Sequence, residues 1–394
     1  MKLRENKNFK LYMCFSAFVI NGMLALSTGS LLPFLREARN MDYAFAGLIV
    51  SLHSVGNLIS SFVSGALPTI IGRKKSILFF NSFIAISFLF ILISESNLFC
   101  ALAFFLTGIA RGATSNFCNK EVNEIAPGQA AIINTLHAMF AIGAFSFPLI
   151  LMALTFNNES NWILGCVFML IMGLLSWSIY FMMPLENDVV SKNGKNGIMD
   201  LGFFQEPLFY LCTLTLFFYL CAEQGVIGWM ITYFKDTGLL PASLSQVTAS
   251  VLWIMILAGR LTTAKASKKY DKENLVLLMG LGIVAFFFML LVSKTTPLIL
   301  IGIMGFGFSM AGIYPTTVSF TSSIIQKYDI AWSFILTLAS IGSIVMPSII
   351  GKIAETMGIY YGMSSVILVV AIDLVLIITL FTYIKKLRKN GVSI

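Results

Sequence analysis

The 394-residue sequence has little charge: Asp, Glu, Lys and Arg together make up 11% of its residues. Water-soluble domains carry about 25% charged residues. Hydrophobic residues account for 58% of this chain. Because so much apolar surface cannot be hidden in a soluble fold of this size, the composition excludes an ordinary soluble domain. It predicts an integral membrane protein.

Long polar segments are also scarce, since about twelve apolar stretches fill most of the chain. Each is long enough to cross a bilayer, which takes about 20 residues. Lipid offers the backbone no hydrogen-bond partner, so we predict helices; the weak alternation of a membrane β-barrel is absent. The predicted spans are 9–35, 43–71, 75–94, 97–119, 126–154, 161–183, 204–234, 242–264, 274–293, 296–324, 329–352 and 358–384.

The sequence lacks a recognisable cleavable signal peptide. Its first apolar run is too long for a signal core and ends without an A-x-A site, so we expect it to be retained as the first helix. No nucleophile–base or metal-ligand grouping occurs, so we predict neither an enzyme nor a bound cofactor. The cysteine spacing fits neither a metal site nor a disulfide framework, and we interpret all six as packing residues. They are Cys14, Cys100, Cys118, Cys166, Cys212 and Cys221.

The net charge of +8 does not indicate a nucleic-acid partner, because its distribution follows membrane topology. If the N-terminus is cytoplasmic, nearly all basic residues outside the spans lie on the cytoplasmic side. This asymmetry is the positive-inside rule. It predicts a multi-pass protein of the inner or plasma membrane with both termini in the cytoplasm. The exceptions on the other side are Arg36, Arg39, Lys235, Lys294 and Lys352.

The chain divides into two similar halves. The longest polar connection, near 185–202, separates six spans from six and has the Gly, Asn and mixed charges of a solvated linker. The segments 141–150 (AIGAFSFPLI) and 340–349 (SIGSIVMPSI) place an Ile-Gly pair and a proline at the same offsets. We predict an N-terminal six-helix bundle at 1–184, a cytoplasmic linker at 185–203 and a C-terminal six-helix bundle at 204–394.

The segment 65–75, GALPTIIGRKK, resembles the loop 2–3 signature of the major facilitators, G-x-x-x-D-R-x-G-R-K. Thr69 stands where that family has an acidic residue, so the latch attributed to that residue lacks its carboxylate here. The resemblance implies an all-α membrane fold of twelve helices in two six-helix bundles, which expose a central site to one side at a time. We assign four residues to gating: Gly65, Gly72, Arg73 and Arg260.

An ionisable residue inside a membrane span is costly and is therefore a functional candidate. Glu223 lies within span 7, in the segment YLCAEQGVIGWM at 219–230. A carboxylate with Gln224 and Trp229 suits a polyol, because the polar groups bond hydroxyls and the indole packs on C–H groups. A buried carboxylate can also carry a proton. We predict that Glu223 binds and couples, with a structural ion pair as the alternative.

Span 4 contains Arg111, followed by Asn116 and Asn119. The guanidinium could bond a solute or neutralise the span 7 carboxylate. The alternative is a structural ion pair with Glu121, Glu124 or another helix. We predict a cavity role for Arg111 and both asparagines.

Other polar residues fall at a depth where a central cavity could use them. Asn134 and His137 lie about one turn apart on span 5, Asn21 lies mid-way along span 1, and Tyr314 lies in the Gly- and Pro-containing span 10. We predict these four as binding residues, with packing as the alternative. Asp373 on span 12 receives no role, and we expect its side chain to be protonated or packed inward.

Three segments, 108–148, 222–234 and 307–317, resemble the branch of major facilitators that contains fucose–proton symporters and sodium-dependent glucose-type transporters. The resemblance implies uptake of a sugar or related polyol driven by a proton or sodium gradient. The cation of Arg111 departs from that branch and leaves an anionic sugar open. The positions that the resemblance implicates are Asn116 or Asn119, Asn134, His137, Glu223 and Trp229.

Two other functions stay open: a proton-coupled drug or metabolite efflux antiporter, and a sensor or scaffold that does not transport. The residues 143–152, GAFSFPLILM, lack the G-x-x-x-G-P-x-x-G-G pattern of antiporters, which argues against the first. Polar groups at cavity depth argue against the second. We expect a monomer whose partners are a small-molecule solute and the lipid bilayer. The solute, the coupling ion and the direction of transport are not determined by these patterns.

Overall fold

The first half of the chain forms six long helices. The computed structural model describes residues 7–127, 129–185, 201–328 and 330–390, and these residues are overwhelmingly helical. A short 3-10 turn, Glu159–Asn161, precedes the sixth helix. The six helices are α1 (Lys7–Ala38), α2 (Tyr43–Ile71), α3 (Arg73–Ile93), α4 (Asn97–Ile125), α5 (Ala130–Thr155) and α6 (Trp162–Met182).

The second half is also helical, but two of its membrane-crossing runs are interrupted. Twelve helices or helix runs among the described residues are long and apolar enough to cross a membrane. The predicted all-α fold with twelve spans is therefore confirmed. The second-half helices are α7 (Pro207–Asp236), α8 (Ala242–Ala266), α9 (Lys272–Val292), α10 (Thr296–Met310), α11 (Ile313–Phe320), α12 (Ser322–Lys327), α13 (Ala331–Met357), α14 (Ile359–Ser364) and α15 (Val366–Lys389).

Backbone chemistry explains the interruption before α11 and the turn between the last two membrane-crossing runs. Pro315 has no N–H to bond the carbonyl of Ala311, so the helix breaks there and α11 restarts with proline in its first turn. Gly358 has φ 96°, a conformation that favours glycine, and it ends α13 and starts α14. The break before α11 places Tyr314 in the first turn of a new helix.

The described residues form two compact units. The first contains α1 to α6 together with Pro241–Ser250, and the second contains α7, the rest of α8 and α9 to α15. In the first unit, Gln246 Nε2 donates to the Ser30 carbonyl at 2.8 Å and Ser250 Oγ donates to the Phe145 carbonyl at 2.7 Å. The boundaries predicted at 184 and 204 stay a prediction, and most of the predicted linker lies outside the described residues.

Close helix crossings explain the repeat found in the sequence. A Cβ atom on Gly143 of α5 would overlap the Val19 carbonyl of α1, and one on Gly342 of α13 would overlap the Phe217 carbonyl of α7. Only glycine lets the backbones approach this closely. The two matched glycines therefore make the same kind of contact, one in each unit.

The cysteines behave as the sequence predicts. All six are buried and free of disulfide bonds. Cys118 Sγ lies 3.2 Å from the Tyr180 hydroxyl inside the first unit. Their role in the structure is packing.

Candidate functional site

The carboxylate of Glu223 is held by its own helix. The Tyr219 hydroxyl donates to Glu223 Oε1 at 2.9 Å. Residues four apart share one face of a helix, so the sequence spacing alone puts these two groups together. The Glu223 side chain is only 9% exposed, and a hydrogen bond to a charged acceptor offsets part of the cost of removing it from water.

Two further helices bring side chains near Tyr219. The Tyr314 ring, at the start of α11, lies with its centroid 6.1 Å from that of Tyr219. Gly259 of α8 packs directly against Ala311 at the helix break, which brings the next residue, Arg260, to the same place. Arg260 interacts electrostatically with the Tyr219 hydroxyl, and Glu223 interacts electrostatically with the Tyr314 hydroxyl. We call Tyr219, Glu223, Arg260 and Tyr314 the α7 cluster.

The α7 cluster lies wholly within the second unit and differs from the sequence prediction in two members. Tyr219 was not among the predicted residues, although a tyrosine four positions before a membrane-embedded glutamate is a readable signal. Arg260 was assigned to gating, and it interacts electrostatically with the α7 tyrosine. Its gating role stays a prediction.

Two predicted neighbours of Glu223 lie differently. The Trp229 side chain is fully buried, and its Nε1–H donates to the Pro347 carbonyl at 3.0 Å. The indole thus fastens α7 to α13, and stacking on a solute would require it to leave this position. Gln224 is half-buried on the adjacent face of α7. Substrate contacts by both residues stay predictions.

In the first unit, Arg111 has a neighbour that the sequence analysis did not consider. The Thr107 hydroxyl donates to the Phe104 carbonyl at 2.7 Å, so its oxygen accepts from His53 Nδ1–H at 2.9 Å. His53 therefore holds its proton on Nδ1, and its buried Nε2 has no hydrogen-bond partner in the described part of the chain. The charge of Arg111 acts on this histidine. A histidine mid-way along span 2 was the available signal.

The loop 2–3 arginine pairs with α4. Arg73 donates to Glu121 and forms a two-pronged pair with Glu124 at 2.8 and 3.0 Å. Arg73 thus pairs with the two carboxylates that were considered as partners of Arg111. The structural ion pair of Arg111, with these or with another helix, stays the alternative to its cavity role. Gly72 has φ 88° between α2 and α3, so the turn needs glycine. In this structure the signature is a tight turn clamped to α4.

A small pocket of about 90 Å³ lies between α2, α3 and α4, and its lining includes Gly65, Arg73 and Asn116. Asn116 Nδ2 donates to the Ser61 carbonyl at 3.1 Å and to Ser64 Oγ at 3.0 Å, which ties α4 to α2. A Cβ atom on Gly65 would meet nothing within 4 Å. The pocket thus joins two predicted gating residues with a predicted binding residue, and its arginine is already neutralised by two carboxylates.

The remaining predicted residues are spread over several environments. Asn119 Nδ2 bonds the Ser115 carbonyl of its own helix at 2.8 Å. Asn21 is buried, and its Oδ1 has no partner among the described residues. Asn134 and His137 are exposed on α5.

Asp373 is packed inward, as one of the two expectations stated. Its side chain is 2% exposed on α15, and Oδ1 has no hydrogen-bond partner in the described ranges. The carboxyl interacts electrostatically with Cys221 of α7.

The twelve membrane-crossing helix runs of the described residues define a multi-pass membrane protein. The model of the Major Facilitator Superfamily matches residues 13–347. The chain belongs to this superfamily, whose members are transporters and not enzymes.

Relatives of known description point the same way. The glucose/mannose transporter GlcP of Bacillus subtilis (strain 168) is 25% identical over 387 residues, covering 91% of this chain and 93% of GlcP. A TsgA homolog of Buchnera aphidicola subsp. Baizongia pistaciae (strain Bp) is 22% identical, covering 95% of this chain and 96% of that protein.

Solved structures support the fold. A point mutant of the nucleoside transporter NupG superposes with a TM-score of 0.78 at 14% identity, covering 95% of this chain and 99% of NupG. A bacterial homolog of the human lysosomal transporter Spinster, inward-facing and unoccupied, gives a TM-score of 0.77 at 12% identity, covering 95% of this chain and 97% of that one. At such identities the likeness is one of fold alone.

Proposed function

We propose that the protein is a secondary transporter that takes up a sugar or sugar-like solute together with a proton or a sodium ion. The observation that carries the proposal is the buried Glu223 carboxylate, bonded to the Tyr219 hydroxyl within the α7 cluster. The sequence likeness to GlcP, described as a glucose/mannose transporter, supports a hexose-like solute. Two phenols and a carboxylate can accept and donate hydrogen bonds to solute hydroxyls.

The choice of a carboxylate supports cation coupling. An amide in the same place would bond sugar hydroxyls without the cost of a charge, which is about 2.5–3.5 kcal/mol in the middle of a membrane helix. A glutamate carries that cost in free energy, but unlike an amide it can bind a proton or a sodium ion. Binding a proton or sodium ion at Glu223 neutralises the charge of its carboxylate, so the loaded and empty forms of the α7 cluster differ in charge. That difference is what a coupled transporter needs.

Reconstituted protein tests the proposal directly. In proteoliposomes with an inward proton or sodium gradient, we expect labelled glucose or mannose to accumulate above equilibrium and to leak out when an ionophore collapses the gradient. A sugar acid belongs in the same assay because Arg111 offers a cation. Failure of all these solutes to accumulate under either gradient would refute uptake. Proton-driven export of solutes would favour the antiporter, and binding without movement would favour the sensor.

Replacement of Glu223 separates coupling from binding. We expect Glu223→Gln to abolish gradient-driven accumulation while retaining exchange of labelled for unlabelled sugar, because the amide still bonds hydroxyls but takes up no cation. The matched control is Asp373→Asn, which removes another buried carboxyl of the same unit and should keep accumulation. Accumulation at the wild-type level in Glu223→Gln would remove this residue from coupling.

A further inference from the structure

The Tyr219 hydroxyl fixes one oxygen of Glu223. The two atoms are 2.9 Å apart in a buried setting, and the phenol is 2% exposed. A hydrogen bond to an ionised acceptor is roughly twice as strong as one between neutral groups. The bond therefore favours the ionised carboxylate over any form in which a cation has been taken up. It also leaves Oε2 as the oxygen on which a proton or sodium ion can arrive.

Arg260 supplies a positive charge to the same place. Its position follows from Gly259, where an added Cβ would meet Ala311 and the Phe308 carbonyl of the neighbouring helix. Among the described residues, its guanidinium makes no hydrogen bond or ion pair, and its charge acts on Tyr219. A half-buried guanidinium is costly without an opposite charge. The carboxylate of its own cluster, Glu223, is the group that can meet that need.

Other helices of the second unit that pack around α7 present their own side chains to it. Asp373 of α15 interacts electrostatically with Cys221, which is not part of the α7 cluster. From α13, Met346 and Ile350 pack apolar atoms near Gly225. From α11 comes Tyr314. Within the described part of the second unit, Arg260 is thus the cation that interacts electrostatically with Tyr219.

We propose that Tyr219 is a positioning residue for Glu223 and that Arg260 is its counter-charge, so that the two together set the cation concentration at which Glu223 becomes occupied. The role in transport rests on the function proposed above. A hydrogen bond and a nearby positive charge both stabilise a carboxylate against protonation or ion binding. Loss of either therefore changes the cation affinity of Glu223. For a hydrogen bond to a charged group, the expected change is about tenfold.

Infrared difference spectroscopy of the purified full-length chain tests this without any solute. The carboxyl band of Glu223 is assigned by its absence in Glu223→Gln, and its midpoint is followed as pH changes. We expect Tyr219→Phe and Arg260→Gln each to displace the midpoint by about one pH unit, and Arg260→Lys to restore most of it. The matched control is Tyr233→Phe on the same helix, because that buried hydroxyl has no hydrogen-bond partner among the described residues. It should leave the midpoint unchanged.

A transport measurement then connects the cluster to coupling. In proteoliposomes, Tyr219→Phe should change the proton or sodium concentration for half-maximal sugar accumulation about tenfold, whereas Tyr233→Phe should not. A thermal unfolding scan of each variant confirms that it is folded. If Arg260→Gln does not fold, Arg260→Lys is measured in its place.

The outcomes separate the two proposals. Midpoints that stay unchanged in both Tyr219→Phe and Arg260→Gln, or a Glu223 band that never titrates, overturn this inference even if the wild type accumulates sugar. A wild type that accumulates no sugar overturns the proposed function, while the infrared titration still decides whether Tyr219 and Arg260 control Glu223. Displaced midpoints together with a displaced half-maximal cation concentration support both.

Discussion

Corresponding helices of the two units, α1 and α7, make their closest contacts in different ways. On α1 the contact with α5 is made by two glycines, Gly22 and Gly143, each of which would collide with the other helix's backbone if it had a Cβ. On α7 the contact with α13 pairs Gly342 with Cys221, and Trp229 adds a hydrogen bond to the Pro347 carbonyl. The first unit thus uses two glycines at this crossing, whereas the second uses one glycine and a directed hydrogen bond.

The same comparison of α1 with α7 shows which unit carries the tyrosine–carboxylate pair of the proposed site. Val19 and Phe217 face the matched glycines and set the correspondence between α1 and α7. Counting onward along each helix from these two residues, Tyr219 corresponds to Asn21 and Glu223 to Ala25. The repeated scaffold is therefore shared, while the tyrosine–carboxylate pair belongs to the second unit alone.

The charged clamps of the two units also differ. In the first unit, Arg73 and Glu121 are both buried, with 9% and 4% of their side chains exposed. In the second, Arg388 bonds Asp271 and Glu273 at 2.9 Å each, but 38% of the arginine side chain is exposed. Water screens the second clamp more effectively, so each clamp should contribute differently to stability.

The largest expected effect comes from breaking the buried clamp. Arg73→Ala leaves Glu121 without its cation and should lower the free energy of unfolding by about 3–5 kcal/mol. Arg388→Ala should cost less, about 1–3 kcal/mol, because solvent reaches the arginine and Asp271, although Glu273 is buried. Unfolding of both variants in detergent, with the exposed Lys75→Ala as control, measures the difference. Equal losses for the two arginines would contradict it.

An intermediate effect is expected at the glycine crossings. Gly143→Ala must push α1 and α5 apart and should lower the free energy of unfolding by about 1–3 kcal/mol. Gly342→Ala should cost less, since its overlap is shallower and one neighbour is the Cys221 side chain. Apparent unfolding temperatures measure both. Gly65→Ala is the control, because open space surrounds it and alanine favours the helix by up to about 1 kcal/mol. A larger loss at Gly342 than at Gly143 would reverse the comparison.

The smallest effect concerns the directed bond of the second unit. Trp229→Phe keeps an aromatic ring on α7 but removes the donor to the Pro347 carbonyl, so the expected loss is about 1 kcal/mol. Trp177→Phe on α6 is the control, since its stacking on Phe181 survives the change. Thermal unfolding of the two variants gives the comparison. No difference between them would mean that the indole bond contributes nothing measurable to the α7–α13 contact.

The sequence by itself determined the class and the spans, and it singled out the residue at the centre of the proposed site. Apolar runs of about 20 residues predict helices because lipid leaves the backbone no other choice, and eleven per cent charge excludes a soluble domain. Gly143 and Gly342 were recognisable from their repeated spacing. Glu223 was recognisable because a charge inside a span is too costly to keep without a use.

Only the tertiary structure decided which polar groups meet. Glu121 forms its ion pair with Arg73, and Arg260 interacts electrostatically with Tyr219. His53 hydrogen-bonds Thr107. The physical reason is that lipid is as apolar as a protein interior, so hydrophobic periodicity does not reveal how a membrane helix is rotated. Helix rotation follows from close contacts such as those of Gly143 and Gly342, and these contacts exist only once distant segments pack together.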